Sequence, residues 1–428
     1  MGFGSNLLQG GAFMESDNSL SRRGFIRAAT GAATFMIVGA EAVRGTQANS
    51  AVALGWIGLG GRGTADARGL AAAGGRVVAL ADVFQDRVDT ARKTFTVEDA
   101  RCFLGFDGYK RVCDLQLDAV ILTTPPGFRP LEFKAAVDAG KHVFMEKPAG
   151  VDPQQIKSII ASGEVADKKG LAVVAGTQRR HQLHYVDILK RVQDGAIGEI
   201  LSAQVYWCGG DMLGYWKWWD RENMAEMEWQ CRSWPWFVWT SGDHMVEQHV
   251  HNLDIANWAL GAHPVSAYGM GGRAVRKLGN IWDHFAVEYE YPGGIRVLSM
   301  CRQINGCADR VSEHLVGTKG TVYTDSQIGR IEGATAYEYK GPNPNPYVQE
   351  HADLIASIRA GKPLNEAKRV AESTLTAILG RMSAYTGRQI NWDWAVKSSK
   401  LDLTPPKYDL KAAFPVEPVA VPGVTQLT

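Results

Sequence analysis

Hydrophobic and polar positions follow two different rhythms along this chain. Between positions 52 and 177, short and nearly unbroken apolar runs recur at 52–57, 76–81, 117–123, 141–145 and 171–175. Runs of this kind suit parallel strands covered on both faces. Between them lie stretches of helical character at 64–73, 130–139 and 153–168. Strand and helix in alternation predict a doubly wound parallel sheet. Past 177 the rhythm changes. A helix is expected over 182–193 and a strand over 198–207. Residues 207–239 are polar and aromatic with no clear period, and 244–260 reads as one helix. Short alternating strands then follow at 283–291, 295–301, 312–317 and 320–324, and Pro292-Gly293-Gly294 marks 283–301 as a hairpin. This predicts a second, α+β part built on an open-faced, mainly antiparallel sheet. Residues 342–346 read as a loop, and 347–360 and 366–386 as helices. The proline-bearing tail past 394 should run extended, against the body or a neighbouring subunit.

A chain of 428 residues is too long for one core and suits two domains. A net charge of +1 gives no sign of nucleic acid or an anionic membrane as partner. The six cysteines have no zinc-like spacing and read as small buried thiols. Residues 1–48 read as a targeting segment. Ser21-Arg22-Arg23-Gly24-Phe25-Ile26 resembles a twin-arginine export signal, followed by a weakly apolar run over 28–39 and small-x-small sites at 40–42 and 46–48. That run is too short to span a bilayer, so no membrane span is expected in the mature form. The alternative is an ordinary basic N-terminus. The first reading implies handling by the twin-arginine export machinery and a periplasmic location. The expected organisation is therefore 1–48 signal, 49–177 first domain, 178–394 second domain and 395–428 tail.

The first apolar run leads straight into Gly58-Leu59-Gly60-Gly61-Arg62-Gly63, a G-x-G-x-x-G turn between strand and helix. In a Rossmann dinucleotide site Gly58 makes the tight turn, Gly60 lets the backbone approach the pyrophosphate, and Gly63 lets helix and strand pack closely. The helix start offers free N–H groups to the phosphates. Asp82 stands 19 positions past Gly63, where an acid accepts the ribose hydroxyls and disfavours a 2′-phosphate. NAD is thus the expected cofactor, while Arg62 and Arg87 nearby keep NADP open. Glu146-Lys147-Pro148 ends the strand at 141–145, where open α/β sheets bind ligands. There Lys147 can hydrogen-bond a substrate hydroxyl and stabilise a developing alkoxide. Glu146 can meet the cofactor ribose or hold Lys147.

With these motifs the chain resembles the glucose-fructose oxidoreductase / inositol dehydrogenase / MocA (Gfo/Idh/MocA) family over about 52–386. The resemblance rests on the glycine turn, Ala81-Asp82-Val83, Thr124-Pro125-Pro126, Glu146-Lys147-Pro148 and the 251–258 helix. It implies an NAD(P)-binding Rossmann domain followed by a sheet domain that binds a sugar or cyclitol, often in a homo-oligomer. Lys147 matches the family's catalytic lysine and His251 its histidine. Glu247 stands where the family has aspartate, and Arg129 near a usual histidine. Thr124, Pro125 and Gln178 should line the cofactor crevice.

His244, Glu247 and His251 fall at i, i+3 and i+7 on the expected helix, so one face carries all three. His251 is placed to take the hydroxyl proton, with Glu247 orienting it. A metal held by His244, Glu247, His249 and His251 is the rival, although 249 and 251 point apart; no metal is assigned. Arg180, His181, Trp218, Trp236 and His244 are the substrate-side candidates, with Trp216, Trp219, Trp234, Trp239, Asp220 and Arg232 near them. The tryptophans serve equally as interface packing. The expected activity is NAD(P)-dependent oxidation of a carbohydrate by a tightly held cofactor. The alternative is a glycosidase that uses NAD transiently.

Overall fold

A computed structural model of the chain describes residues 51–428. The twin-arginine segment expected over 1–48 lies outside the described residues. Strands β1 (Val52–Ile57), β2 (Gly75–Asp82), β3 (Cys102–Leu104), β4 (Ala119–Leu122), β5 (His142–Met145) and β6 (Val173–Ala175) form one parallel sheet in the order β3-β2-β1-β4-β5-β6. Helices α1 (Gly61–Ala72), α2 (Gln85–Phe95), α3 (Gly108–Cys113), α4 (Arg129–Asp138) and α5 (Pro153–Lys169) make the crossovers. Every residue of β4 and β6 is buried, as a sheet covered on both faces requires. The α5 boundaries follow from its sequence. Asp152 caps the start by accepting the Gln155 N–H at 2.8 Å, Pro153 opens the first turn, and Gly170 ends the helix at φ 66°. The strand order reverses between β1 and β4, which opens a crevice at the carboxyl ends of those strands.

The second part starts with α6 (Leu183–Gln193), β7 (Ile200–Gly209), α7 (Glu226–Arg232), α8 (Val238–Ser241), α9 (His244–Glu247) and α10 (Val250–Leu260). Then come β8 (Ser266–Gly272), β9 (His284–Tyr291), β10 (Ile295–Gln303), β11 (Arg310–Gly317), β12 (Gly320–Thr324), β13 (Gly329–Gly333), β14 (Tyr337–Glu338), α11 (Pro346–Ala360), α12 (Ala367–Thr386), β15 (Ile390–Asn391) and α13 (Trp392–Lys397). The nine strands run β14-β13-β12-β11-β7-β10-β9-β8-β15, antiparallel except for β7 and β10. The expected hairpin is β9–β10, with Tyr291 opposite Ile295. One face of this sheet carries helices. On the other, Tyr268, Met270, Leu298 and Met300 stand exposed. Helix α12 is buried along nearly its whole length and packs on both α5 and β8, while α11 lies against α1.

The helix expected in the second part is corrected. The helix over 244–260 is two pieces, broken at Gln248 and His249. Both side chains bond to β10 instead: Gln248 accepts from Gln303 at 2.6 Å, and His249 Nε2 meets Ser299 Oγ at 2.7 Å. The Trp-rich stretch also holds helix α7. Its tryptophans build a small core of their own, with Phe84, Trp216, Met227, Trp236, Phe237 and Trp239 buried together. The tail packs on the body at this core. Leu403 N–H donates to Asp152 at 2.9 Å, Phe414 N–H to Glu226 at 2.7 Å, and Trp282 Nε1–H to the Ala420 carbonyl at 3.2 Å. Of the cysteines, Cys307 is exposed, against the expectation of burial.

Candidate active site

The crevice at the β1/β4 reversal is a cavity of about 420 Å³, lined by Gly58, Gly60, Gly61, Arg62, Gly63, Asp82, Thr124 and Pro125. The three glycines of the motif do different work. Gly58 has φ +89°, and a Cβ there would lie 2.4 Å from the Thr124 nitrogen. At Gly63 it would lie 2.3 Å from Thr123 Oγ1. The fold itself therefore demands glycine at both. At Gly60 and Gly61 an added Cβ would meet nothing within 4 Å. No protein atom needs those two, so the open space above them suits a pyrophosphate against bare backbone at the start of α1. Asp82 is buried at the end of β2. Its carboxylate accepts the N–H of Leu59 at 2.7 Å and of Phe84 at 3.0 Å, which ties the glycine loop to β2. Burial raises its pKa, against the pull of Arg87 at 3.8 Å. These residues fit a dinucleotide.

Lys147 leaves the end of β5 and crosses to the second part of the chain. Its Nζ donates to Glu247 Oε1 at 2.9 Å and to the Glu247 carbonyl at 2.5 Å. The Lys147–Pro148 bond is cis. Glu146 is buried beside it, accepts the Lys147 N–H at 3.0 Å, and has a pKa pushed up to about 7 by burial and by Asp66. A Cβ on Gly176 would strike the Glu146 carboxylate at 2.6 Å, so β6 approaches closely there. His251 opens α10 beyond the helix break. Burial, and then the positive charges of Lys147, Arg179 and Arg62, hold its pKa well below the usual histidine value. The imidazole is therefore held in its neutral form. Its ring lies over Trp207 at 5.7 Å and its Nδ1 has no partner. Lys147 is thus in contact with Glu247 and close enough to His251 for its charge to act on the imidazole; Gln178 is buried, with its Oε1 unpartnered.

Several substrate-side expectations are corrected. Arg180 is bound to Asp254, at 2.8 and 2.9 Å, and stacks on Trp258, so its guanidinium is held in the protein. His181 is paired with Asp353 at 2.6 Å and lies 3.6 Å from Glu366. Trp236 is 1% exposed, and Trp218 packs on Trp229, Trp236 and Phe237. His244 is fully buried against Phe285, because the break after Glu247 ends the common helix face. His249 is held at Ser299, so among the described residues His244, Glu247, His249 and His251 do not converge on one ion.

Sequence reasoning missed other cavity residues. Phe84, Phe106, Phe128, Glu132 and Tyr408 also line the crevice, together with Trp234, which the sequence offers as a substrate-side candidate. Glu132 bonds to Thr124 Oγ1, and burial pushes its pKa up to about 8. Phe128 and Tyr408 face each other at 5.5 Å. Tyr408 comes from the tail, and no local signal joins it to residues almost 300 positions earlier. Arg129, noted only as a family departure, donates to the carbonyls of Thr124 and Pro148 and so joins the two loops that end β4 and β5.

Comparison with known proteins agrees with this geometry. Residues 52–177 match the family described as "Oxidoreductase family, NAD-binding Rossmann fold", and 185–323 match "GFO/IDH/MocA C-terminal domain". An inositol 2-dehydrogenase of Rhizobium meliloti is 25% identical over 72% of this chain and 89% of its own. A 2,7-anhydro-N-acetylneuraminate hydratase of Escherichia coli is 27% identical over 49% of this chain and 52% of its own. The structure of scyllo-inositol dehydrogenase from Lactobacillus casei with bound NAD(H) and scyllo-inositol superposes with a TM-score of 0.62 at 19% identity. It covers 80% of this chain and 99% of that one.

Proposed function

Because the chain belongs to the Gfo/Idh/MocA family of NAD-binding oxidoreductases, we propose that it oxidises a hydroxyl-bearing carbon of a sugar or sugar derivative. The observation that carries this reading is the Lys147–Glu247 contact at 2.9 Å beside a neutral His251. Bound NAD supplies the hydride acceptor. Gly58 to Gly63, Asp82, Thr124 and Pro125 would hold it, with Glu146 and Gln178 at the Lys147 end. Lys147 presents a charged donor to the substrate oxygen and stabilises negative charge as it develops. His251 takes the hydroxyl proton, and Glu247 keeps the ammonium in place. Trp234 and Tyr408 of the tail line the same cavity, which favours a cofactor that stays bound through many turnovers.

A retained cofactor also supports a second reading. Ser21-Arg22-Arg23 supports export to the periplasm, where free NAD is scarce. A glycosidase that oxidises the sugar, eliminates the aglycone, adds water and reduces the ring again has no net redox demand. The hydratase relative, named for adding water, favours such chemistry. The test uses purified mature protein without added NAD, given free sugars and aryl glycosides in parallel. A reduced-nicotinamide signal with free sugar supports the dehydrogenase. Phenol release without that signal supports the glycosidase. Turnover that survives Lys147→Met overturns both.

The exposed row of Tyr268, Met270, Leu298 and Met300 supports a homo-oligomer formed through the open sheet face.

A further inference from the structure

We propose that Asp66, Glu350 and His351 hold one divalent transition-metal ion between α1 and α11. The three side chains come from the two parts of the chain and are buried, at 0%, 0% and 2% exposure. Their candidate ligand atoms lie within 4.8 Å of one another. All six of their side-chain polar atoms lack a hydrogen-bond partner. Buried polar atoms are nearly always paired, so six orphans at one point call for a missing partner. The spacing says which kind. His351 Nε2 is 3.6 Å from Asp66 Oδ1 and 4.0 Å from Glu350 Oε1. These gaps are too wide for direct hydrogen bonds. They are the separations two ligand atoms take across one ion with bonds of about 2.0–2.2 Å.

The surroundings favour a cation. His351 is seated by an edge contact with Phe144 at 4.8 Å, and its Nδ1 faces Gly69, where a Cβ would lie 2.1 Å away. Its Nε2 is thereby turned to the carboxylates. Arg62 reaches Asp66 only at 3.8 Å and is shared with Glu146 at 3.6 Å. Arg62 is thus divided between Asp66 and Glu146, whose charge Arg129 and Lys147 also meet, while Asp66 and Glu350 still face one imidazole. One imidazole nitrogen with two carboxylate oxygens suits Zn²⁺ or Mn²⁺. The ion would pin the helix that opens the phosphate cradle to α11, and it touches neither Lys147 nor His251. The inference stands whether or not the proposed activity holds.

The test is the metal content of tag-free protein, purified without chelator from medium supplemented with Zn²⁺ and Mn²⁺. The expected result is stoichiometric Zn²⁺ or Mn²⁺. A chelator should lower Tm, the same ion should restore it, and Asp66→Asn and His351→Gln should lose the metal. Wild-type protein without stoichiometric metal, with a Tm that neither ion changes, would overturn the site. So would full metal retention in both variants. Should the variants fail to fold, the wild-type metal content and ion-dependent Tm decide the question alone.

Discussion

The ammonium of Lys147 is held twice by one residue, through the side chain and the carbonyl of Glu247, and still has a third N–H to offer a substrate. Replacing it by methionine keeps the length and removes the donor. Lys147→Met is expected to lower turnover by about 10²–10⁴-fold while the cofactor stays bound. Unchanged turnover would remove the lysine from the mechanism. His181 gives a prediction in pH. Burial alone would lower its pKa, but the Glu366 and Asp353 carboxylates push it up to about 9, from an ordinary 6.5. A folded-state pKa above the unfolded one stabilises fully below pH 6.5, and that stability is lost as pH rises through about 9. Tm should therefore fall more steeply between those values in wild type than in His181→Gln. Parallel Tm profiles would refute the charged pair. At this scale Asp82 and Lys147 were legible because each stands at the end of a strand, and Glu247 because it occupies the family's aspartate position at helical spacing from His251. The Asp254 that captures Arg180 was not, since it lies 74 positions away.

At the scale of elements, the glycine turn separates folding from binding. Gly58→Ala should destabilise the protein, because the new Cβ meets backbone at 2.4 Å on a left-handed φ. Gly60→Ala should leave the Tm of the apoprotein nearly unchanged, since nothing lies within 4 Å, and should sharply weaken NAD binding. Equal losses of stability in the two variants would contradict this division. Five of the six parallel strands and the β9–β10 hairpin were legible because local apolar runs and turn residues specify them; the three-residue edge strand β3 was too short to show. The break at Gln248–His249 was not. It coincides with bonds to Ser299 and Gln303, which stand 50 and 55 positions further on. The role of the tryptophans stayed open for the same reason, because an aromatic stretch without a period carries no sign of whether it faces a sugar or itself.

Over the whole molecule, the cofactor crevice is completed by residues from the far end of the chain. Tyr408 lines the cavity, and Leu403, Leu410 and Phe414 pack on the tryptophan core behind it. Tyr408→Ala is expected to speed NAD dissociation without altering the cofactor's redox chemistry, as measured by stopped-flow displacement. An unchanged rate would show that the tail plays no part in retention. The open sheet face makes a separate prediction. Leu298→Glu with Met300→Glu should convert an oligomer to monomers by light scattering, and a wild type that is already monomeric would refute the proposed interface. The central claim is that one crevice, built from the glycine turn, Asp82 and the tail, holds NAD against Lys147. The most direct test is the nicotinamide content of a denatured extract of the mature protein purified without added cofactor. Stoichiometric NAD(H) in wild type and a marked deficit in Gly60→Ala is the predicted result. A wild-type extract free of NAD(H), from protein that also fails to bind added NAD, would contradict it.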